Sequence, residues 1–153
     1  MKSVQVCALG YFYQGDYSIP LDAARELRNH NINVMDISLG AIKAASFLQI
    51  ISPNSLLILT SEKRGNKELR IYRPTIDRDS VMGWTDITMG MRGYFMDIDS
   101  FISAAGSLGA LPEDTTVFEC EAEKTEGIGL SEWGRHCLQE MVDRVLSFIE
   151  SPQ

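Results

Sequence analysis

The sequence predicts an α/β fold, a three-layer α/β/α sandwich around a mixed, mostly parallel sheet. Three observations carry this. Apolar, strand-like runs alternate with helical runs along the chain. Residues 55–61 (SLLILTS) are apolar almost without a break, as in a strand covered on both faces. Residues 68–73 (ELRIYR) instead alternate, as in an antiparallel neighbour or an edge. The length of 153 residues suits one domain, 1–153, with a single substantial core.

Residues 3–9 (SVQVCAL) read as a buried strand that runs into the loop Gly10 to Pro20, GYFYQGDYSIP. In α/β proteins such a loop commonly holds a binding or catalytic residue. Residues 20–30 read as a helix with Pro20 in its first turn, where the missing N–H costs nothing. It ends at NHNIN, where asparagines tolerate the turn and His30 favours the negative helix end. A strand at 32–37 and a helix at 41–52, stopped by Pro53, precede the third strand. After ELRIYR the stretch 74–96 is irregular. A helix is predicted at 97–108, with Asp97 and Asp99 at its positive end, then a strand at 115–122. The last helix, 131–150, presents Trp133, Cys137, Met141, Val145 and Phe148 as one core-facing stripe. Glu140 and Arg144 stand one turn apart on a more exposed side.

The formal net charge is −7 and no basic cluster is present, which disfavours nucleic acid and anionic lipid as partners. There is no apolar run of membrane-spanning length and no signal-like N-terminus, so a cytoplasmic protein is expected. Cys7, Cys120 and Cys137 are odd in number and lack CxxC spacing. They read as buried small hydrophobes, not as a disulfide framework or a zinc site.

Dinucleotide, Walker, GxSxG and HExxH patterns are absent. His136, one turn from Glu132 and Glu140, reads as part of a solvated helix face. Asp77, Asp79, Asp86, Asp97 and Asp99 match no calcium loop. Met82, Trp84, Met89 and Met91, near Tyr94, Phe95 and Met96, read either as an adaptable protein-binding surface or as a loop folded over its own small core.

The segment GALPEDTTVFECEAEKTEGIGLSEWGRHCLQEMVDRVL resembles the closing segment of the hydrogenase maturation proteases. In that family a Gly-x-x-Pro turn enters a strand, and a loop then reaches Gly-Leu-Ser or Gly-Leu-Thr and the last helix. Here the matching residues are Gly109, Pro112, Glu123 and Gly129-Leu130-Ser131, and the order of elements agrees over nearly the whole chain. The resemblance implies a phosphorylase/hydrolase-like α/β domain. It also implies a peptidase that recognises nickel in a hydrogenase large-subunit precursor and removes its C-terminal tail. Matching the family's metal-reading positions keeps Gly10 and Asp16 but places Tyr17, Thr60 and Tyr94 at the three ligand sites. Phenols and a threonine hydroxyl are poor nickel ligands at neutral pH. The resemblance therefore implies a diverged homologue that binds a hydrogenase precursor, an accessory protein or another partner without metal-directed cleavage, with no cofactor of its own. An active endopeptidase that uses Asp16 with Glu62 or Asp86 is the alternative. A flavin or nucleotide binder is a third class, which no phosphate-cradling glycine pattern supports.

Overall fold

The computed structural model describes residues 4–38, 40–76 and 96–150. Within them the apolar runs become strands β1 (Gln5–Leu9), β2 (Val34–Asp36), β3 (Ser55–Glu62), β4 (Leu69–Tyr72) and β5 (Asp114–Glu121). They form one sheet in the order β2-β1-β3-β5-β4. Strand pairs β1–β2, β1–β3 and β3–β5 are parallel, and β4 runs antiparallel to β5 at the edge, as the alternation in ELRIYR predicts.

Helices α1 (Ile19–Asn29), α2 (Ala41–Ile51), α3 (Ile98–Ser107) and α4 (Glu132–Glu150) cover the sheet on both faces. On one face Cys7, Leu56, Ile58 and Val117 pack with Ala44, Leu48, Phe101 and Ala105 of α2 and α3. On the other, Val6, Leu57, Leu59 and Phe118 pack with Leu27, Met141 and Val145 of α1 and α4. The odd and even residues of β3 thus serve separate cores, which is why its sequence is apolar throughout.

Local chemistry sets the helix ends. Pro20 lies in the first turn of α1, and Asn31 takes a left-handed φ of 64° just beyond it. Ser52, at φ 50°, closes α2 ahead of Pro53 by donating its N–H to Leu48 O at 2.7 Å. Asp97 caps α3 by accepting from Ser100 N at 2.8 Å. In α4, Cys137, Met141 and Val145 are fully buried, with Trp133 and Phe148 packed beside them. The second strand is shorter than the sequence suggests. Ile32 N bonds back to Leu27 O at 3.0 Å, so that residue finishes the helix exit and pairing starts at Val34.

The cysteines require a correction. Cys120 and Cys137 form a disulfide, with Cα atoms 6.1 Å apart, and Cys7 alone is a free, buried thiol. Cys120 points from β5 toward α4, and Cys137 lies on the stripe by which α4 packs on that strand. The two therefore meet across a strand–helix interface that sequence spacing does not reveal. Cys7 lies on the opposite face of the sheet, and burial pushes its thiol up to about 12. No described helix is long and apolar enough to cross a membrane.

Candidate functional site

Strand β1 has β2 on one side and β3 on the other, so the chain changes direction across the sheet at the carboxyl ends of β1 and β3. In open α/β sheets that switch point is where ligands bind. The loop after β1 reaches it through a 3-10 turn, Gly15–Ser18.

Asp16 holds this loop in place. It is fully buried; its Oδ2 accepts from Glu123 N and Lys124 N at 2.9 Å and from Ser131 Oγ at 2.7 Å, and its Oδ1 accepts from Ser131 N at 2.8 Å. Ser131 Oγ in turn accepts from Gly134 N, capping α4. The carboxylate thus sits at the positive end of α4 and ties the β1 loop to the β5–α4 loop. Gly15 N donates to Gly127 O beside it. A β-carbon on Gly134 would overlap Asp16 Oδ1, so the helix can approach only as glycine. With both oxygens engaged in the interior, Asp16 is a scaffold group.

Tyr17 follows Asp16 and turns toward the rim. Burial pushes its phenol above the ordinary tyrosine range, and so do the charges of Glu62, Glu121 and Asp97. Tyr11 is also raised, first by burial and then by Asp97, Asp36 and Glu62. Its hydroxyl donates to Met96 O at 2.7 Å and accepts from Met96 N at 2.9 Å, joining the β1 loop to the start of α3. Both phenols therefore stand in a field of carboxylates and stay neutral.

Thr60 is buried, and its Cα partners are Leu9 on β1 and Glu119 on β5. Glu62 is two residues further along β3 and so shares the face of Thr60. Its carboxyl is half-buried and raised, mainly by loss of solvent, with Asp97 and Glu119 adding to the effect. Between them Ser61 faces the other way, its Oγ buried and without a hydrogen-bond partner among the described residues. The β3 position thus holds no acid at residue 60 and gains one at 62.

A second cluster forms the wall beside this rim. Glu119, 2% exposed, accepts from Arg64 Nε at 3.0 Å, Arg64 Nη2 at 3.1 Å and Tyr72 OH at 2.9 Å. Arg64 also reaches Asp99, and its backbone N–H and that of Gly65 donate to Glu121. The β3–β4 turn is fastened over the end of β5 in this way. None of these groups is among the site residues that the sequence suggests. Their signal in the sequence is the pair Glu119 and Glu121, which alternate with the apolar Phe118 and Cys120.

Tyr94, Met82, Trp84, Met89, Met91 and Asp86 lie outside the described residues. Tyr17, Glu62 and Asp97 lie close enough for their charges to act on one another, and Thr60 shares the β3 face of Glu62. Among the described residues no group of three or more histidine, cysteine, aspartate or glutamate side chains is placed to hold a metal ion.

No protein-family profile and no curated protein matches the chain. Solved structures do. Over 96% of this chain and 91% of the other, it resembles the endopeptidase HycI from Escherichia coli, with a TM-score of 0.68 at 13% identity. The hydrogenase 2 maturation peptidase from Thaumarchaeota archaeon SCGC_AB-539-E09 gives 0.62 at 20% identity, covering 96% of this chain and 97% of that one. The fold is that of the hydrogenase maturation proteases. The [NiFe] hydrogenase maturation protease HybD from Thermococcus kodakarensis is similar over 97% of this chain and its own full length (100%), with a TM-score of 0.60 and 15% identity. At such identities the maturation-protease likeness concerns the fold.

Proposed function

We propose that this chain is a diverged hydrogenase maturation protease homologue. It binds a hydrogenase large-subunit precursor, an accessory protein or a similar partner in the cytoplasm, without metal-directed cleavage and without a cofactor of its own. One observation carries the reading. Asp16 ties the loop after β1 into the interior, yet the residue that follows it, Tyr17, is a neutral phenol, and Thr60 on β3 offers a hydroxyl and no carboxylate. A scaffold retained with unsuitable ligands is suited to contact. The test mixes the full chain with a nickel-loaded large-subunit precursor. Co-elution with the precursor tail still intact is the expected outcome, and loss of the tail by mass spectrometry would overturn the reading.

A second reading has a specific observation behind it. Glu62 shares the face of Thr60 and carries a raised carboxyl, so an endopeptidase that uses the displaced acid is chemically reasonable. It predicts tail removal by the wild type and none by Glu62→Gln.

A further inference from the structure

Large apolar side chains stand in solvent at the mouth of this rim. Phe12 is 59% exposed, Tyr13 71% and Ile128 79%. All three lie within two residues of the bridge Gln14↔Gly127, which joins the β1 loop to the β5–α4 loop, so they belong to one ledge on a fixed frame. Tyr13 is moreover held at φ 64°, a backbone region that bulky residues seldom occupy. Nothing in the packing calls for an aromatic ring there, since the ring faces water.

The charge around the ledge selects what can cover it. Tyr11, next to Phe12, bonds to the backbone of Met96, which places Asp97 at hand, and Asp36 and Glu62 act on the same phenol. Among the described residues none of these three carboxylates has a basic side-chain partner within ion-pair distance. Arg64 is held by Glu119 and Asp99, Lys67 by Glu123, and Lys124 by the carbonyl of Ile128. Three carboxylates without an ion-pair partner among the described residues favour a cationic segment over an anionic one.

We propose that Phe12, Tyr13 and Ile128 form a docking ledge for an extended segment of a partner protein in which apolar side chains alternate with arginine or lysine. The apolar groups cover the ledge, and the cationic groups reach Glu62, Asp97 and Asp36. The proposal rests on reading this rim as a protein-binding site, and it adds the chemistry of the segment that binds.

The test uses the full chain and two labelled synthetic peptides, one alternating leucine with arginine and the other leucine with glutamate. Fluorescence anisotropy at low salt should show the arginine peptide binding tighter by roughly tenfold or more, with the difference shrinking as salt is raised. The double variant Phe12→Ser, Ile128→Ser should weaken the arginine peptide by roughly tenfold or more. Tyr13→Gly should also bind less tightly while melting at a higher temperature, because glycine relieves the left-handed backbone; a purely structural role for the ring gives no such opposition. Equal affinity for the two peptides, or undiminished affinity in the double variant, overturns the proposal. Precursor binding separates the two levels of the argument. If the double variant retains the precursor as well as the wild type does, the ledge is wrong and the homologue reading stands. If peptide selectivity depends on the ledge but no precursor binds, the ledge stands and the hydrogenase context falls.

Discussion

Asp16 takes hydrogen bonds from Glu123, Lys124 and both donors of Ser131 in the interior, so asparagine in its place sets an amide N–H against groups that now donate to it. Asp16→Asn should lower the unfolding free energy by about 2–4 kcal/mol, read by denaturant titration. Gly134→Ala should act on the same contact and be far from additive with it. Glu62 behaves in the opposite sense. Its carboxyl is raised in the fold, so its contribution favours the protein below the ordinary glutamate range and is lost as pH rises through the raised value. Glu62→Gln should therefore stabilise the protein at neutral pH, and the gain should vanish on acidification; a pH series of melting curves on both proteins checks this. The sequence gives Asp16 and Glu62 the same appearance, a carboxylate near a strand end. What separates them is the donors around Asp16, which are mostly backbone amides, and backbone amides leave no signature in a sequence.

The regular elements follow from local patterns that can be read in the chain. The stripe in α4, the proline in α1, the cap at Asp97 and the alternation in β4 each decide a boundary or a buried face over a few residues. Contacts between elements are less legible. Cys120 and Cys137 are 17 residues apart, with a strand end, a loop and a helix start between them, and only the packing of α4 on β5 brings them together. Replacing both with alanine should cost about 3 kcal/mol, measured against the oxidised wild type. Both sulfurs are fully buried, so thiol labelling of the folded protein without reductant should be negligible, Cys7 included. The Arg64–Glu119 pair makes a similar point between β3 and β5. Arg64→Met leaves a buried carboxylate with the more distant Arg70, at 3.7 Å, as its remaining ion-pair partner and should cost about 3 kcal/mol. Adding Glu119→Gln should recover part of that loss; full additivity in the double-mutant cycle would show that the pair is not coupled.

Across the whole molecule, the order of strands turns a set of ordinary elements into a site. Because β3 lies on the far side of β1 from β2, the loop after β1 and the end of β3 share one rim, and the resemblance in the C-terminal third is matched by the arrangement of the entire sheet. The fold was therefore readable from periodicity together with the Gly-x-x-Pro and Gly-Leu-Ser segments. The rim was readable in part: Tyr17 and Thr60 could be placed by their position after β1 and in β3, while the closing of the β1 loop by residues 123–131 could not. That closing also carries a time order. Asp16 meets its hydrogen-bond donors 107 to 115 residues later in the chain, so on the ribosome the first loop is made long before the groups that fix it. The rim cannot assemble until residues 123–131 have been made, so the site exists only once the last helix begins to form.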